Sequence, residues 1–184
     1  GAEVGEISLI GNHSPFATVA FEGGGTNIVN TLVEKFGVTP EKGLKLLTNY
    51  GYTTRELAFK PTICKTEFNE ITQDDLNKII KDYFEEDYFP KFMAAFDSLM
   101  QDYREDVKRL PLVFTGGFSK MIGFNELVKS QFKSHESIHF LEPKIIGAHS
   151  AQYSVSVGGL MIACAHKGAL SEQKSKSKGV LRVA

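Results

Sequence analysis

Two glycine-rich turns are the parts of this sequence best suited to binding chemistry. Gly23-Gly24-Gly25 follows an apolar run that ends at Phe21, and Gly116-Gly117 follows the apolar run 110–115. A helical pattern comes after each turn. A strand, a glycine turn and a helix leave backbone N–H groups and the positive end of the helix open to an anionic ligand. Glycine also allows a sharp turn that binds nothing, and the residues alone leave both interpretations open.

The strands that precede the two turns decide where the turns lie. In open α/β sheets, ligands bind outside the carboxyl ends of the strands. Both turns stand at such an end, so we expect them on the same rim of one sheet. Two helix N-termini that converge on one crevice suit the phosphates or the ribose of a nucleotide better than one does. The pattern therefore predicts a cleft shared by the turn near residue 24 and the turn near residue 116.

Residue spacing excludes several other kinds of active site. A nucleophile elbow would need glycine where this chain has Met121. A Walker phosphate loop would need lysine in place of Phe124, and a dinucleotide loop would need glycine in place of Ile28. His135 and His139 are four residues apart, but no third ligand is near them in the sequence, so they do not predict a metal site. No catalytic dyad emerges from the spacing.

The composition is that of an ordinary globular protein, with 184 residues, 42% hydrophobic and 23% charged. A net charge of −1 argues against a protein that binds nucleic acid through bulk electrostatics. Cys64 and Cys164 fit no paired spacing and indicate reduced thiols in a cytosolic protein. The opening Gly1-Ala2-Glu3 reads like the middle of a turn, so we expect a piece of a longer protein.

The first half of the chain predicts a hairpin followed by helices. Strands are expected at 6–10 and 15–21, and a helix follows with apolar residues at helical spacing up to Phe36, ended by Gly37. Thr39 and Pro40 begin a second helix, with an apolar side of three leucines, that ends at Gly51. The three leucines are Leu44, Leu46 and Leu47.

The second half predicts a long helical pattern and then alternating strands and helices. A strand is expected at 62–68, and Thr72 caps a helical pattern that reaches residue 103. Pro90 should kink or break it, because proline removes a backbone hydrogen bond. The remaining expected elements are a strand at 110–115, a helix at 124–132, a strand at 138–141, and a small-residue helix at 153–165 that should pack closely against a neighbour.

This order predicts an α/β fold, a mixed sheet flanked by helices with a mostly helical subdomain inserted in the middle. The expected division places the α/β subdomain at 1–51 and 109–168 and the inserted subdomain at 52–108. Residues 169–184 alternate serine and lysine in part and are expected to be a disordered tail.

Four stretches of the sequence resemble motifs of the actin-like ATPases. Gly1 to Ile7 is similar to the tail of the second phosphate motif, D-x-G-x-x-x-x-x-I, and Gly24 to Ile28 to the G-G-x-x-I(T) turn. Leu112 to Gly123 is similar to the adenosine motif, hydrophobic-T-G-G-x-x-x-x-x-G, and 143–160 to the closing segment. The chain thus resembles the second half of an actin-like ATPase, in the branch of the bacterial division protein FtsA and the pilus-assembly protein PilM.

The resemblance implies an actin-like, ribonuclease H-like fold that binds ATP with Mg²⁺. It also implies that the first strand of this half is missing, which would leave an exposed sheet edge beside Glu6–Ile10 that another chain could cover. The nucleotide-binding residues that it implies are Gly24, Gly25, Thr115, Gly116, Gly117, Phe118, Ser119 and Met121. Glu41 and Lys45 are added because this family commonly places Glu and Lys where this chain has Leu44 and Leu47.

The resemblance favours one function and leaves a second open. The first is the nucleotide-binding half of an FtsA-like scaffold for cell division that binds ATP, assembles with itself or with division or pilus proteins, and is cytoplasmic or peripheral to the inner face of the membrane. The alternative is a degenerate or PilM-like protein-interaction module with weak or no nucleotide binding, favoured by Leu44 and Leu47. Each lost hydrogen bond weakens binding by roughly 1–3 kcal/mol. In either case this chain alone is not expected to hydrolyse ATP, because phosphoryl transfer depends on positioning groups from the other half.

Overall fold

A computed structural model of the chain describes residues 2–11, 14–54, 61–67, 69–101, 110–133, 135, 137–144, 149–154 and 156–161. The predictions for Gly1, for Cys164 and for the tail at 169–184 lie outside these residues. The elements in chain order are β1 (Val4–Gly11), β2 (Ser14–Glu22), α1 (Gly25–Phe36), α2 (Pro40–Asn49), β3 (Thr62–Lys65), β4 (Glu70–Thr72), α3 (Gln73–Tyr83), a π-helical turn (Phe84–Tyr88), α4 (Phe89–Met100), β5 (Leu112–Phe114), a 3₁₀ turn (Gly117–Lys120), α5 (Phe124–Gln131), β6 (Ile138–Phe140) and a second 3₁₀ turn (Ala151–Tyr153).

The mixed α/β architecture is confirmed, with strands that pair two by two. Within the described residues, β1 pairs antiparallel with β2, β3 antiparallel with β4, and β5 parallel with β6. The exposed edge expected beside Glu6–Ile10 is also present, because β1 has no strand partner other than β2 in the described part of the chain. Helices α1, α3, α4 and α5 pack around these small sheets.

The β1–β2 hairpin depends on glycine at one position. Gly5 pairs with Phe21 across the hairpin, and the Phe21 ring lies directly over the Gly5 Cα. A side chain at position 5 would overlap that ring. The hairpin expected from the sequence is confirmed, with a β-bulge between Leu9 and Ile10 that increases the local twist.

Helices α1 and α2 begin and end where the sequence predicts. Gly37 adopts the left-handed conformation (φ 65°) that ends α1, and Thr39 Oγ1 accepts a hydrogen bond from the Lys42 N–H at the start of α2. One expectation is wrong: Leu44 does not belong to the apolar side of α2, since it is 52% exposed. Gly43 takes the buried position instead, because a Cβ there would lie 3.2 Å from Val29 Cγ1. The two helices therefore approach closely at Gly43, where a larger side chain would require Val29 to shift.

Pro90 changes the long helical pattern in a specific way. A π-helical turn joins α3 to α4, with the Phe89 N–H donating to Phe84 O, five residues back. Pro90 then stands in the first turn of α4, where a residue without an N–H is tolerated. The break expected at proline is thus a widened turn, and the apolar stripes on both sides of it stay buried. Thr72 and Asp75 form the capping box that begins α3.

The inserted segment shares its core with the rest of the chain. Ile28 of α1, Phe84 of the π-helical turn and Phe124 of α5 are buried in one hydrophobic cluster. The strand expected at 62–68 ends at Lys65, and the chain returns as β4, which the sequence did not predict; Phe68 lies outside the described residues. The division into subdomains stays a prediction.

The small-residue helix near the C-terminus does not show the close packing expected of it. Its described part is 154 and 156–161, after the second 3₁₀ turn. A Cβ added at Gly158 or Gly159 would meet no atom within 4 Å, and Leu160 and Met161 are exposed. Leu160 and Met161, in the described part of this helix, therefore leave most of their apolar surface exposed.

Candidate functional site

The two glycine turns lie close together, although β2 and β5 belong to separate two-stranded sheets among the described residues. A Cβ built on Gly25, directly after β2, would lie 3.4 Å from Phe118 Cδ2 in the turn after β5. Leu47 Cδ2 of α2 lies 3.6 Å from the same point. The carboxyl ends of β2 and β5 are therefore neighbours.

Side chains occupy the space between the two turns. The Phe118 ring stacks on Phe84 with centroids 5.6 Å apart, and Tyr88 and Phe124 pack edge-on against it. Phe118 is thus half-buried in the aromatic core rather than turned toward a ligand. The cleft expected between the turns is closed by this ring and by the apolar end of Leu47.

The backbone N–H groups at the start of α1 have acceptors within the chain. The Gly24 N–H donates to Tyr83 Oη at 2.7 Å, and the Thr26 N–H donates to Ala2 O at 2.9 Å. Gly24 is buried, so its N–H needs a partner, and the Tyr83 hydroxyl supplies one. A phosphate oxygen at this turn would have to displace that hydroxyl.

The two tyrosines beside this turn are held in their neutral form. Burial raises the pKa of Tyr83, Asp87 raises it further, and hydrogen bonds from Gly24 and Asn27 partly offset the rise. Burial also raises the pKa of Tyr88, with a smaller contribution from Tyr83. Both hydroxyls therefore remain protonated well above neutral pH.

The turn at Gly116 leads into a different element from the one predicted. Gly116 has φ 103° and is followed by a 3₁₀ turn of four residues rather than by a helix. The turn closes on itself, since the Ser119 N–H and Ser119 Oγ both donate to Gly116 O, at 3.2 and 2.8 Å. Helix α5 begins only at Phe124, after Gly123, whose Cα lies against Tyr52 O. The N-terminus of α5 therefore lies at Gly123, where it packs against the loop at Tyr52, and not at Gly116-Gly117.

The segment 150–154 folds over the same turn. Thr115 Oγ1 donates to Leu141 O at 3.0 Å and lies 2.6 Å from Ser154 Oγ. Lys120 Nζ donates to Ser150 Oγ at 2.8 Å. Thr115, expected to meet a nucleotide, here ties the end of β5 to the segment that follows β6.

The remaining expected site residues are dispersed. Met121 is buried in the core. Gly117 is exposed, with its Cβ position 3.6 Å from Gln152 Cβ. Glu41 and Lys45 form an exposed ion pair at 2.7 Å on the surface of α2. A surface pair of this kind is worth little, so either side chain can exchange its partner for a ligand.

A cavity of about 680 Å³ opens beside Ser119, at the carboxyl ends of the parallel strands β5 and β6. Its volume is in the range of small-molecule sites, and its place is the one where α/β sheets bind ligands. Of the ten site residues expected from the sequence, Ser119 alone lines it. Its lining among the described residues is Ser119, Asn125, Phe140, Leu141, Glu142, Pro143, Lys144, His149 and Ala151.

Two charged residues in the sequence could have indicated this cavity, but the predicted site was drawn from the glycine turns. Glu142 and Lys144 directly follow the predicted strand 138–141, so they stand at a carboxyl strand end just as the glycine turns do. Within the described ranges, no three His, Cys, Asp or Glu side chains come together to hold a metal ion. Nor does any helix in that part of the chain have the length and apolar character needed to cross a bilayer.

Comparison with known proteins bears on the fold. No family model matches the chain, and no curated protein matches it. Among solved structures, it is similar to the ethanolamine utilization protein EutJ from Carboxydothermus hydrogenoformans, with a TM-score of 0.51 and 12% sequence identity. The match covers 83% of this chain and 42% of the EutJ chain, so this chain spans less than half of the structure it matches. An identity this low shows the architecture alone, and on that evidence the chain has an actin-like fold.

Proposed function

We propose that this chain is the nucleotide-binding half of an actin-fold scaffold protein and that it binds an adenine nucleotide with its Mg²⁺ in the cavity beside Ser119. The observation that carries the proposal is the cavity itself, about 680 Å³ at the carboxyl ends of β5 and β6. A pocket of that size at that place in an α/β sheet suits a ligand as large as a nucleotide.

The lining of the cavity has the chemistry that such a ligand needs. Phe140 and Leu141 offer apolar surface for a base, and Ser119 and Asn125 offer hydrogen-bond donors and acceptors for a base edge or a ribose. Lys144 supplies a cation for phosphate charge. The mixture of apolar walls with a few polar groups is typical of small-molecule sites.

The chain is proposed to work as a scaffold and not as an enzyme by itself. Catalysis of phosphoryl transfer depends on groups positioned around the phosphates, and the resemblance assigns several of them to a different half of the fold. Assembly with itself or with division or pilus proteins, in the cytoplasm or at the inner face of a membrane, belongs to the same proposal.

A second candidate function is a protein-interaction module that does not bind nucleotide. It is favoured by the closed space between the turns, where Phe118 and Leu47 pack on Gly25 and Tyr83 Oη holds the Gly24 N–H. In that case the actin-like fold would serve only as a rigid surface.

Titration of the chain with a fluorescent ATP analogue and Mg²⁺ separates the two functions. Asn125→Leu places an apolar side chain in the cavity wall, and Gln131→Leu makes a comparable change at the other end of α5. Both residues are exposed, so neither variant should affect folding. We expect saturable binding that Asn125→Leu weakens about tenfold or more and Gln131→Leu leaves unchanged. No binding at millimolar nucleotide would remove the first function and leave the second.

A further inference from the structure

Five consecutive residues in the wall of the cavity change from apolar to charged. Phe140 and Leu141 come first, Glu142 follows, and Lys144 stands after Pro143. All five line the cavity. A nucleotide has the same order of chemical groups, since a flat base is joined to a ribose that carries hydroxyl groups, and the ribose is joined to the phosphates.

The backbone at the start of this segment is fixed by the neighbouring strand. The Leu141 N–H donates to Phe114 O at 2.8 Å, and Leu141 O accepts a hydrogen bond from Thr115 Oγ1 at 3.0 Å. Both bonds tie the segment to the end of β5. Glu142 is the next residue, so its backbone is held in place without a ligand, which lowers the cost of ordering it on binding.

Pro143 restricts the positions of the two charged residues beside it. Its ring fixes its own φ angle and favours an extended conformation for the residue before it, Glu142. Two residues of extended chain span at most about 7 Å, so the Cα atoms of Glu142 and Lys144 are no farther apart than that. The carboxylate and the ammonium group therefore belong to neighbouring points of one cavity wall.

The described part of the chain does not neutralise either charge. Glu142 and Lys144 are exposed, and neither takes part in an ion pair or a side-chain hydrogen bond with another described residue. A carboxylate accepts hydrogen bonds and repels phosphate, whereas an ammonium group attracts phosphate. The two charges therefore orient a ligand, with its phosphates toward Lys144 and its neutral hydrogen-bond donors toward Glu142.

We propose that Glu142 accepts hydrogen bonds from the 2′ and 3′ hydroxyls of a ribose, and that the cavity therefore selects ribonucleotides over deoxyribonucleotides. The inference rests on the function proposed above and names the class of ligand for the same cavity. The ribose hydroxyls are the neutral donors of a nucleotide that lie next to its phosphates, as Glu142 lies next to Lys144. The amine of an adenine base is farther from the phosphates. Hydrogen bonds to a carboxylate are stronger than those between neutral groups, so their loss is measurable.

Isothermal titration calorimetry of the full chain with ATP and with 2′-deoxy-ATP, each with Mg²⁺, measures this selectivity. Glu142→Ala removes the carboxylate. Glu34→Ala is the matched control, because Glu34 is exposed on α1 and is not among the residues that line the cavity. Each variant loses one negative charge, so both change the net charge of the chain equally. Both residues are exposed, so neither variant should affect folding.

We expect the original chain and Glu34→Ala to bind 2′-deoxy-ATP about fivefold or more weakly than ATP, and Glu142→Ala to bind the two nucleotides with equal affinity. If the original chain binds both nucleotides equally, or if Glu142→Ala discriminates as strongly as the original chain, the ribose contact is refuted while the nucleotide site stands. Absence of binding of either nucleotide to the original chain would overturn the proposed function and this inference together.

Discussion

The hydrogen bond from the Gly24 N–H to Tyr83 Oη makes the arrangement of the first glycine turn testable by a single substitution. Tyr83→Phe keeps the ring, which packs against Phe84 and Tyr88, and removes only the hydroxyl. The chain loses the hydrogen bonds that this hydroxyl makes with Gly24 and Asn27, and the buried Gly24 N–H loses its acceptor. A buried donor left without a partner costs about 1–3 kcal/mol, so we expect the free energy of unfolding to fall by that amount.

Urea unfolding followed by circular dichroism measures this loss, with Tyr50→Phe as the matched control because Tyr50 is 39% exposed. At this chain length each kcal/mol corresponds to a Tm lower by about 2–4 °C. We expect Tyr83→Phe to be destabilised and Tyr50→Phe to match the original chain. If both variants unfold at the same urea concentration as the original, the hydroxyl does not hold the turn and the reasoning is refuted.

The same variant bears on the proposed function. A phosphate oxygen at Gly24 must compete with the tyrosine hydroxyl for one N–H. Removing the hydroxyl should therefore tighten the binding of the ATP analogue if the phosphates reach this turn. Unchanged affinity would restrict the nucleotide to the cavity beside Ser119.

Three additional predictions concern the core, the hairpin and the response to alkaline pH. Phe84→Ala removes a fully buried ring and should lower the free energy of unfolding by about 3–5 kcal/mol, whereas Leu44→Ala at an exposed position should change it little; chemical denaturation compares the two. Gly5→Ala should destabilise the hairpin by about 1–3 kcal/mol, because the added methyl overlaps the Phe21 ring, and an unchanged Tm would contradict that packing. Burial raises the pKa of Tyr88 above its ordinary value of 10.0, so the unfolded chain loses this proton first and stability should be lost as the pH rises above about 10. Denaturation at a series of pH values should show a shallower loss for Tyr88→Phe, and an equal slope would count against a buried neutral hydroxyl.

The elements that the sequence predicted correctly are those with a local physical signal. Thr39 and Thr72 cap their helices, and Gly37 ends α1 in the left-handed conformation, because capping depends on a few neighbouring residues. Apolar spacing located α1, α3 and α5 for the same reason. These features need no knowledge of distant parts of the chain.

The errors come from tertiary packing. Leu44 is exposed, contrary to expectation, because α1 and α2 pack together at Gly43, and helical period alone does not predict where two helices meet. The π-helical turn before Pro90 keeps both apolar stripes facing one core. The need for this widened turn arises from tertiary packing, so the local sequence does not predict it. Strand β4 has three residues, too few for a period to be recognised.

The cavity beside Ser119 was not predicted from the sequence, which pointed instead to a cleft between the two glycine turns. The glycine turns do lie close together, with the Phe118 ring against Gly25, but the strands before them belong to separate sheets among the described residues. Whether the turns are open to a ligand could not be predicted from the sequence. Phe118 of the second turn and Leu47 of α2 pack on Gly25, and Tyr83 of α3 accepts the hydrogen bond of Gly24. The cavity uses residues after β6, and its shape depends on how the segment 150–154 folds back through Thr115 and Ser154.

Amide nuclear magnetic resonance of the chain, titrated with ATP and Mg²⁺, tests the central claim most directly. The account predicts saturable shifts at Ser119, Asn125 and Lys144, and none at the far end of α5 near Gln131. Spectra that stay unchanged up to millimolar nucleotide, or shifts that saturate only at residues remote from the carboxyl ends of β5 and β6, would contradict it.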